Sequence, residues 1–232
     1  MTDTTLLTAL RQITTATITT VLLKKGIRRT WMKGPQPLAA GQPRIAGRAF
    51  TLRFVPARED LATPASWSSP RSTRAAIEEM PAGCVAVIDA MGVADAGVFG
   101  DILAQRMKVR GVAGLVTDGV MRDKAGVLET GLPVWCAGVA APASVAGLTF
   151  VGWQEPVGCG GCAIYPGDVV VADGDGAVVI PAALADEVAR LGAEQEQLEA
   201  WLMEEVKQGK TLPGLYPPND ETLARYAAHK KV

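Results

Sequence analysis

Residues 84–137 read CVAVIDAMGVADAGVFGDILAQRMKVRGVAGLVTDGVMRDKAGVLETGLPVWCA. Three short apolar runs stand out: CVAVIDA at 84–90, GLVTD at 114–118 and PVWCA at 133–137. Each is too short for a helix and is nearly continuous in apolar character, the pattern of a strand buried on both faces. Between them, 100–110 and 123–130 carry helical spacing, and Gly131 closes the second. Strand-helix-strand-helix-strand imposes parallel strands joined by right-handed crossovers. The stretch therefore predicts an α/β protein with a parallel-strand core.

Upstream, residues 3–26 read as helix, broken by the threonine patch Thr14, Thr15, Thr17, Thr19 and Thr20 and closed by Gly26. Residues 27–47 are rich in Pro, Gly and Arg and read as loop or short extended pieces. Residues 49–55 alternate as a strand, with Phe50, Leu52 and Phe54 on one face and Thr51 and Arg53 on the other. The polar segment 56–72 carries Pro56, Pro64 and Pro70, and connections of that length are usually functional or disordered. A short helix is expected at 73–79. From Thr149 the pattern turns to β: TFVGWQEPV, CAIY, a Pro-Gly-Asp turn, VVVAD, a type I′-like Asp-Gly turn and AVVIP. Pro181 suits a helix start. Residues 182–208 then form one long helix, acidic in its far part at Glu194, Glu196, Glu199, Glu204 and Glu205, and a last short helix follows GLYPPND.

Bulk properties exclude several classes. The 232 residues suffice for one large domain or two small ones, and 48% hydrophobic content is ample for a core. A net charge of -1 offers no electrostatic footprint for nucleic acid. MTDTTLL lacks the basic and apolar regions of a signal peptide. No run approaches the roughly 18 apolar residues of a spanning helix, so no membrane partner is expected and the chain reads as soluble and cytoplasmic. Cys84, Cys136, Cys159 and Cys162 sit in apolar segments and read as reduced core residues.

Three motifs dissolve on inspection. Gly158–Ala163 (GCGGCA) fits a dinucleotide fingerprint, but Pro166-Gly167 leaves no room for the helix that must follow. Cys159 and Cys162 form a C-x-x-C without the second pair of a zinc site or the helix of a redox motif. Asp173-Gly-Asp175-Gly starts like a calcium loop, but its twelfth position is Leu184 rather than glutamate. The chain has one histidine, His229, near its end, so a Ser-His or Cys-His nucleophile pair has no base. Chemistry must then rest on carboxylates, Arg, Lys, backbone amides or a metal.

One set meets that demand: Gly97, Gly100, Asp101 and, twenty residues further, Arg122-Asp123. Asp101 falls in the first turn of a helix that follows a parallel strand, and Arg122-Asp123 occupies the same place after the next strand. The structural alternative is a dipole-stabilising aspartate and a surface ion pair. The functional reading is convergence beyond the carboxyl ends of neighbouring strands, where ligands bind in parallel sheets. Free amides at Gly100, Asp101, Ile102 and Leu103 would add an anion site.

The G-x-x-x-D and R-D motifs, with RGVAGLVTDGVMRD, GLPVW and PGDVVVADGDGAVVIP around them, resemble the RraA-like and class II 4-hydroxy-4-methyl-2-oxoglutarate/4-carboxy-4-hydroxy-2-oxoadipate aldolase family. The resemblance runs from about Thr14 to the long helix. It implies an α/β/β/α sandwich, here as one domain over 1–232, assembled as a homotrimer or hexamer with the 182–208 helix at a subunit interface. It implies a lyase, aldolase or decarboxylase, that cleaves a 2-keto acid through a pyruvate enolate with Mg²⁺ or Mn²⁺. Carried over by position, Asp123 would hold the metal, Asp101 would reach it through water, and Arg122 would contact the pyruvyl oxygen and carboxylate. The amides at Gly100–Leu103 would grip that carboxylate, and Glu196 from a neighbouring subunit would complete the metal site. The family also contains non-catalytic regulators of ribonuclease E, which share the fold but depart from the acidic set.

Overall fold

Four layers follow from three hydrophobic cores stacked on either side of β-structure. The computed structural model describes residues 2–230. Two helices open the chain, α1 (Asp3–Leu10) and α2 (Thr15–Lys24). The threonine patch does break the segment: Thr14 caps α2, its hydroxyl accepting from the Thr17 amide. Then come β1 (Gln36–Pro37), β2 (Ile45–Pro56), α3 (Thr73–Glu79), β3 (Val85–Asp89), α4 (Asp101–Val109), β4 (Gly114–Thr117), β5 (Val120–Met121), α5 (Lys124–Glu129), β6 (Val134–Cys136) and β7 (Gly138–Val139). The chain continues with β8 (Leu148–Trp153), β9 (Val169–Asp173), β10 (Gly176–Ile180), the long α6 (Ala185–Lys207) and α7 (Asp220–His229).

The central run pairs β2, β3, β4 and β6 in parallel, as the crossover pattern demands. β2 is longer than its alternating stretch suggests. Its first half, Ile45–Arg48, pairs antiparallel with β9, while Ala49–Arg53 pairs with β3. One strand thus feeds both β-layers and joins an eight-stranded sheet in the order β1-β6-β4-β3-β2-β9-β10, with β8 also on β2. A strand serving two layers is buried on both faces, which is why the alternation of Phe50, Leu52 and Phe54 reports only part of it.

Each interlayer space has its own core. Phe50, Leu52, Ile88, Ala104, Met107 and Val127 fill the space between the parallel strands and α3–α5. Val85, Val87, Val116 and Trp135 pack against Val170, Ala172, Ala177 and Val179 between the two β-layers. Leu10, Ile18, Leu22, Val171, Val178 and Val188 seal α1, α2 and α6 onto the hairpin. The order is α/β/β/α. Among the described residues, no single helix is long and apolar enough to cross a membrane.

Two β expectations fail locally. CAIY is not a strand; Ile164 makes one isolated bridge to Val157, and Cys159–Gly161 form a 3-10 turn. The β9–β10 turn is not type I′, because the positive φ falls on Gly176 (116°) rather than on Gly174 or Asp175. The GCGGCA glycines instead close a loop onto the strand ends. Gly158 N donates to Asp89 Oδ2 and Gly160 N to Asp118 Oδ2, both at 3.0 Å. All four cysteines are buried and free.

Candidate active site

A short parallel zip between two strand-to-helix loops assembles the site. Val98 N donates to Val120 O at 2.8 Å, and Arg122 N donates to Phe99 O at 2.9 Å. The loop after β3 is thereby laid alongside the loop after β4, and α4 begins beside Arg122-Asp123. Since β3 and β4 are adjacent and parallel, both loops leave at the same edge of the sheet.

The two carboxylates are held by contacts that need glycine. Asp101 Oδ1 accepts from the Ile102 amide at 2.7 Å. Its Oδ2 lies over Gly126 of α5, where a Cβ would stand only 2.7 Å away. Asp123 Oδ2 accepts from Arg122 Nε at 3.0 Å and lies over Gly100, where a Cβ would stand 2.5 Å away. Asp123 takes a left-handed backbone, φ 52° and ψ 44°, at the N-cap of α5. That conformation is uncommon outside glycine and concentrates at functional positions.

Arg122 and Asp123 keep 36% and 42% of their side chains exposed, so their pairing leaves both open to a ligand. The first-turn amides of α4 have no intrahelical acceptors. Ile102 gives its amide to Asp101 and exposes its side chain.

Gly97, Gly100, Asp101, Ile102, Leu103, Arg122 and Asp123 line one pocket of about 230 Å³. All seven residues singled out around this motif therefore meet. Trp67, Thr73 and Arg74, from the long polar segment and the start of α3, add to the wall, as do Val98, Phe99, Ala143 and Ser144. An adjoining cavity of about 400 Å³ shares Trp67, Thr73 and Ser144 with it. That cavity is larger but carries no carboxylate, so the chemistry, not the volume, marks the site.

Gly126 and Arg74 were not legible as site residues, whereas Trp67 lies in the polar segment 58–71, which the sequence marks as a specificity lid or an interface element. Gly126 is an ordinary mid-helix glycine in sequence, and Arg74 sits more than twenty residues before the motif. Asp118 lies outside the residues that line this pocket. At the end of β4 it accepts from Ala90 N at 2.8 Å and Gly160 N at 3.0 Å. Burial pushes its carboxyl above the ordinary range, against those two amide donors.

Glu196 has other work in its own chain. Its Oε1 accepts from the Thr14 amide and hydroxyl, each at 2.8 Å, fastening α6 to the start of α2. Burial raises its carboxyl, but the Thr14 and Thr17 donors and Arg44 together pull it below the ordinary value. A lowered carboxylate stabilises the fold fully above its unfolded pKa, and the contribution is lost as pH falls through the folded one. Glu196→Gln is expected to cost about 1 kcal/mol at neutral pH. The gap from wild type should close as pH falls through the folded value, measured by denaturant unfolding. A rate loss at unchanged stability would instead place Glu196 in the chemistry.

Comparison with known proteins places the fold. A family model described as RraA-like, Aldolase/RraA, matches residues 15–179. The crystal structure of Streptomyces coelicolor RraAS2, described as an unusual member of the RNase ES inhibitor RraA protein family, is 40% identical with a TM-score of 0.77. The match covers 86% of this chain and 96% of that one. A Halalkalibacterium halodurans protein named "Putative 4-hydroxy-4-methyl-2-oxoglutarate aldolase" is 39% identical over 107 residues, 46% of this chain and 50% of its own length. Legionella pneumophila Protein DlpA is 29% identical over 177 residues, 76% of this chain but 28% of that protein. The matches thus span half or less of these two curated relatives. With the family model matching more than half of its length, the chain belongs to the RraA-like family.

Proposed function

We propose that the pocket at the α4 and α5 N-termini binds a 2-keto acid and cleaves it as a lyase, releasing pyruvate. The carrying observation is the meeting of Asp101, Asp123 and Arg122 beside the opening amides of α4.

The donor set suits a hard divalent cation. Two carboxylates are what Mg²⁺ or Mn²⁺ takes from a protein when waters and substrate oxygens supply the rest. Among the described residues, no group of three or more His, Cys, Asp and Glu converges as a closed metal cage would require. Asp123 would hold the ion directly and Asp101 through water. When bound, such an ion supplies Lewis-acid stabilisation of negative charge on the 2-keto oxygen.

The protein's own groups do the remaining work. The other opening amides of α4, Ile102 having given its own to Asp101, receive the substrate carboxylate at the positive end of a helix. Arg122 donates to the keto oxygen as negative charge gathers there. For a 4-hydroxy-2-oxo acid, Asp101 accepts the C4 hydroxyl proton, directly or across one water. The C3–C4 bond breaks, its electron pair passes into the pyruvate enolate, and C4 leaves as a carbonyl. Returning the proton to C3 gives pyruvate. For oxaloacetate the departing group is CO₂ and the enolate is the same.

Purified protein with Mg²⁺ or Mn²⁺ is expected to release pyruvate from a 4-hydroxy-2-oxo acid or oxaloacetate, to stop in EDTA and to recover when metal is restored. Turnover that persists unchanged in EDTA would sink the metal-dependent reading. The likeness to RraAS2 favours a second reading, a regulator that binds an RNA-degrading enzyme. Inhibition of such a ribonuclease by a protein inert toward every 2-keto acid would establish it.

A further inference from the structure

The cavity that adjoins the pocket has the opposite character. It measures about 400 Å³ and meets the pocket at Trp67, Thr73 and Ser144, three residues from three separate segments that line both. No carboxylate lines it. Most of its polar side chains are already engaged within the chain. Ser66 Oγ donates to Thr63 O at 2.6 Å, and Ser69 Oγ accepts from the Arg71 amide at 3.1 Å. Ser72 Oγ caps α3 by accepting from the Ala75 amide at 3.3 Å, and Thr149 Oγ accepts from the Arg58 amide at 3.0 Å. Arg71, the one cation on the wall, donates through Nη2 to Val151 O at 3.2 Å. Away from the shared seam, what remains for a ligand is apolar: Leu61, Val145 and Phe150, with the buried Phe54 and Leu148. Phe54 and Phe150 meet edge to face at 5.2 Å, and Phe150 stacks on Trp153 at 6.2 Å. Phe150 is thus a fixed aromatic surface of the kind on which a further ring packs at an edge or offset. Leu61 stays 50% exposed, a large apolar side chain beside a hollow that asks for few hydrogen bonds. An apolar group entering there sheds water without stranding a polar one.

We propose that this cavity is the subsite for an apolar, ring-bearing distal group of the substrate, with Leu61 and Phe150 as its specificity-determining residues. The inference rests on the 2-keto acid reading and deepens it: the preferred 4-hydroxy-2-oxo acids carry an aryl group on C4. Breaking the C3–C4 bond then sends the bonding pair into the pyruvate enolate and the C4 hydroxyl proton to Asp101. C4 leaves as an aromatic aldehyde. The polar segment 56–72 gains a function, since it supplies Leu61 and Trp67 to the chamber.

The test uses two 2-oxo acids that lack the C4 hydroxyl and so cannot undergo the cleavage: 2-oxobutanoate, and 2-oxo-4-phenylbutanoate, which adds a phenyl group on C4. Binding to the Mg²⁺-loaded protein is measured by calorimetry for wild type, Leu61→Asp and Phe150→Ala. Wild type is expected to bind the phenyl ligand about 10- to 100-fold more tightly, the scale of burying one ring. Leu61→Asp, at a half-exposed position the fold can spare, should erase most of that gain by placing a charge on the wall. Phe150→Ala should remove part of it by taking away the aromatic surface. Affinity for 2-oxobutanoate should stay within about twofold in both variants, which also shows each to be folded. Should Phe150→Ala fail to fold, Leu61→Asp decides alone. Equal affinity of wild type for the two ligands overturns the subsite and leaves the 2-keto acid reading in place. A phenyl preference that survives undiminished in the folded variants puts the ring elsewhere and overturns the assignment equally. A wild type that binds neither ligand overturns both readings.

Discussion

Arg122→Ala is expected to lower kcat for pyruvate release by about 100- to 1,000-fold, the effect of removing one fixed donor from a developing oxyanion. Stability should barely change. The side chain is 36% exposed, and its ion pair with Asp123 belongs to a class that contributes about 0–1 kcal/mol. The same pairing supplies the main rival explanation. Arg122 Nε holds Asp123 Oδ2 at 3.0 Å, so its loss could act by releasing that carboxylate. Arg122→Lys separates the two. A lysine preserves positive charge beside Asp123 but lacks the planar fork. If Arg122 works as an oriented donor, lysine recovers little of the rate. If it merely neutralises Asp123, lysine recovers most of it. Loss of kcat with little change in KM marks an interaction made in the transition state. An Arg122→Ala protein with wild-type turnover would remove the site assignment altogether.

The parallel core was legible because its strands are buried on both faces. Such strands leave continuous apolar runs, and VAVID and GLVT fall where those runs lie. The motif was legible for a related reason. Parallel topology sends every strand-to-helix loop to one edge, so Asp101 and Asp123 had to be neighbours if β3 and β4 were. What could not be read was anything set by contact between segments distant in sequence. Gly126 matters only because Asp101 lies on it. Glu196 shows the same limit from the other side. An acidic helix face does not reveal which glutamate meets Thr14, and that meeting gives Glu196 a structural role within the chain. The CAIY segment misled because apolar spacing records burial, and Ile164 is buried in the inter-sheet core without being part of a strand.

Gly100→Ala should cost about 100-fold in kcat, the scale of a catalytic group displaced by about 1 Å. The backbone will accept the change, because Gly100 has φ -118° and ψ -168°, an extended conformation open to any residue. The obstacle is the new methyl, which would stand 2.5 Å from Asp123 Oδ2 and 3.3 Å from Arg122 Cγ. Asp123 is 42% exposed, so its carboxylate can swing toward solvent and relieve the clash cheaply. Stability should then fall by only about 1 kcal/mol, mostly through a poorer N-cap for α4. Gly126→Ala presses on Asp101 instead, with a Cβ 2.7 Å from its Oδ2 and 2.8 Å from its Cβ. Here helix propensity favours alanine by about 1 kcal/mol, which opposes any loss of stability while activity falls. A double-mutant cycle decides whether the glycines act through the carboxylates. In an Asp123→Ala background, Gly100→Ala should cost nothing further, and in an Asp101→Ala background the same should hold for Gly126→Ala. If the losses multiply instead, Gly100 acts through the α4 amides, and the place of Asp123 beside it is incidental to the chemistry.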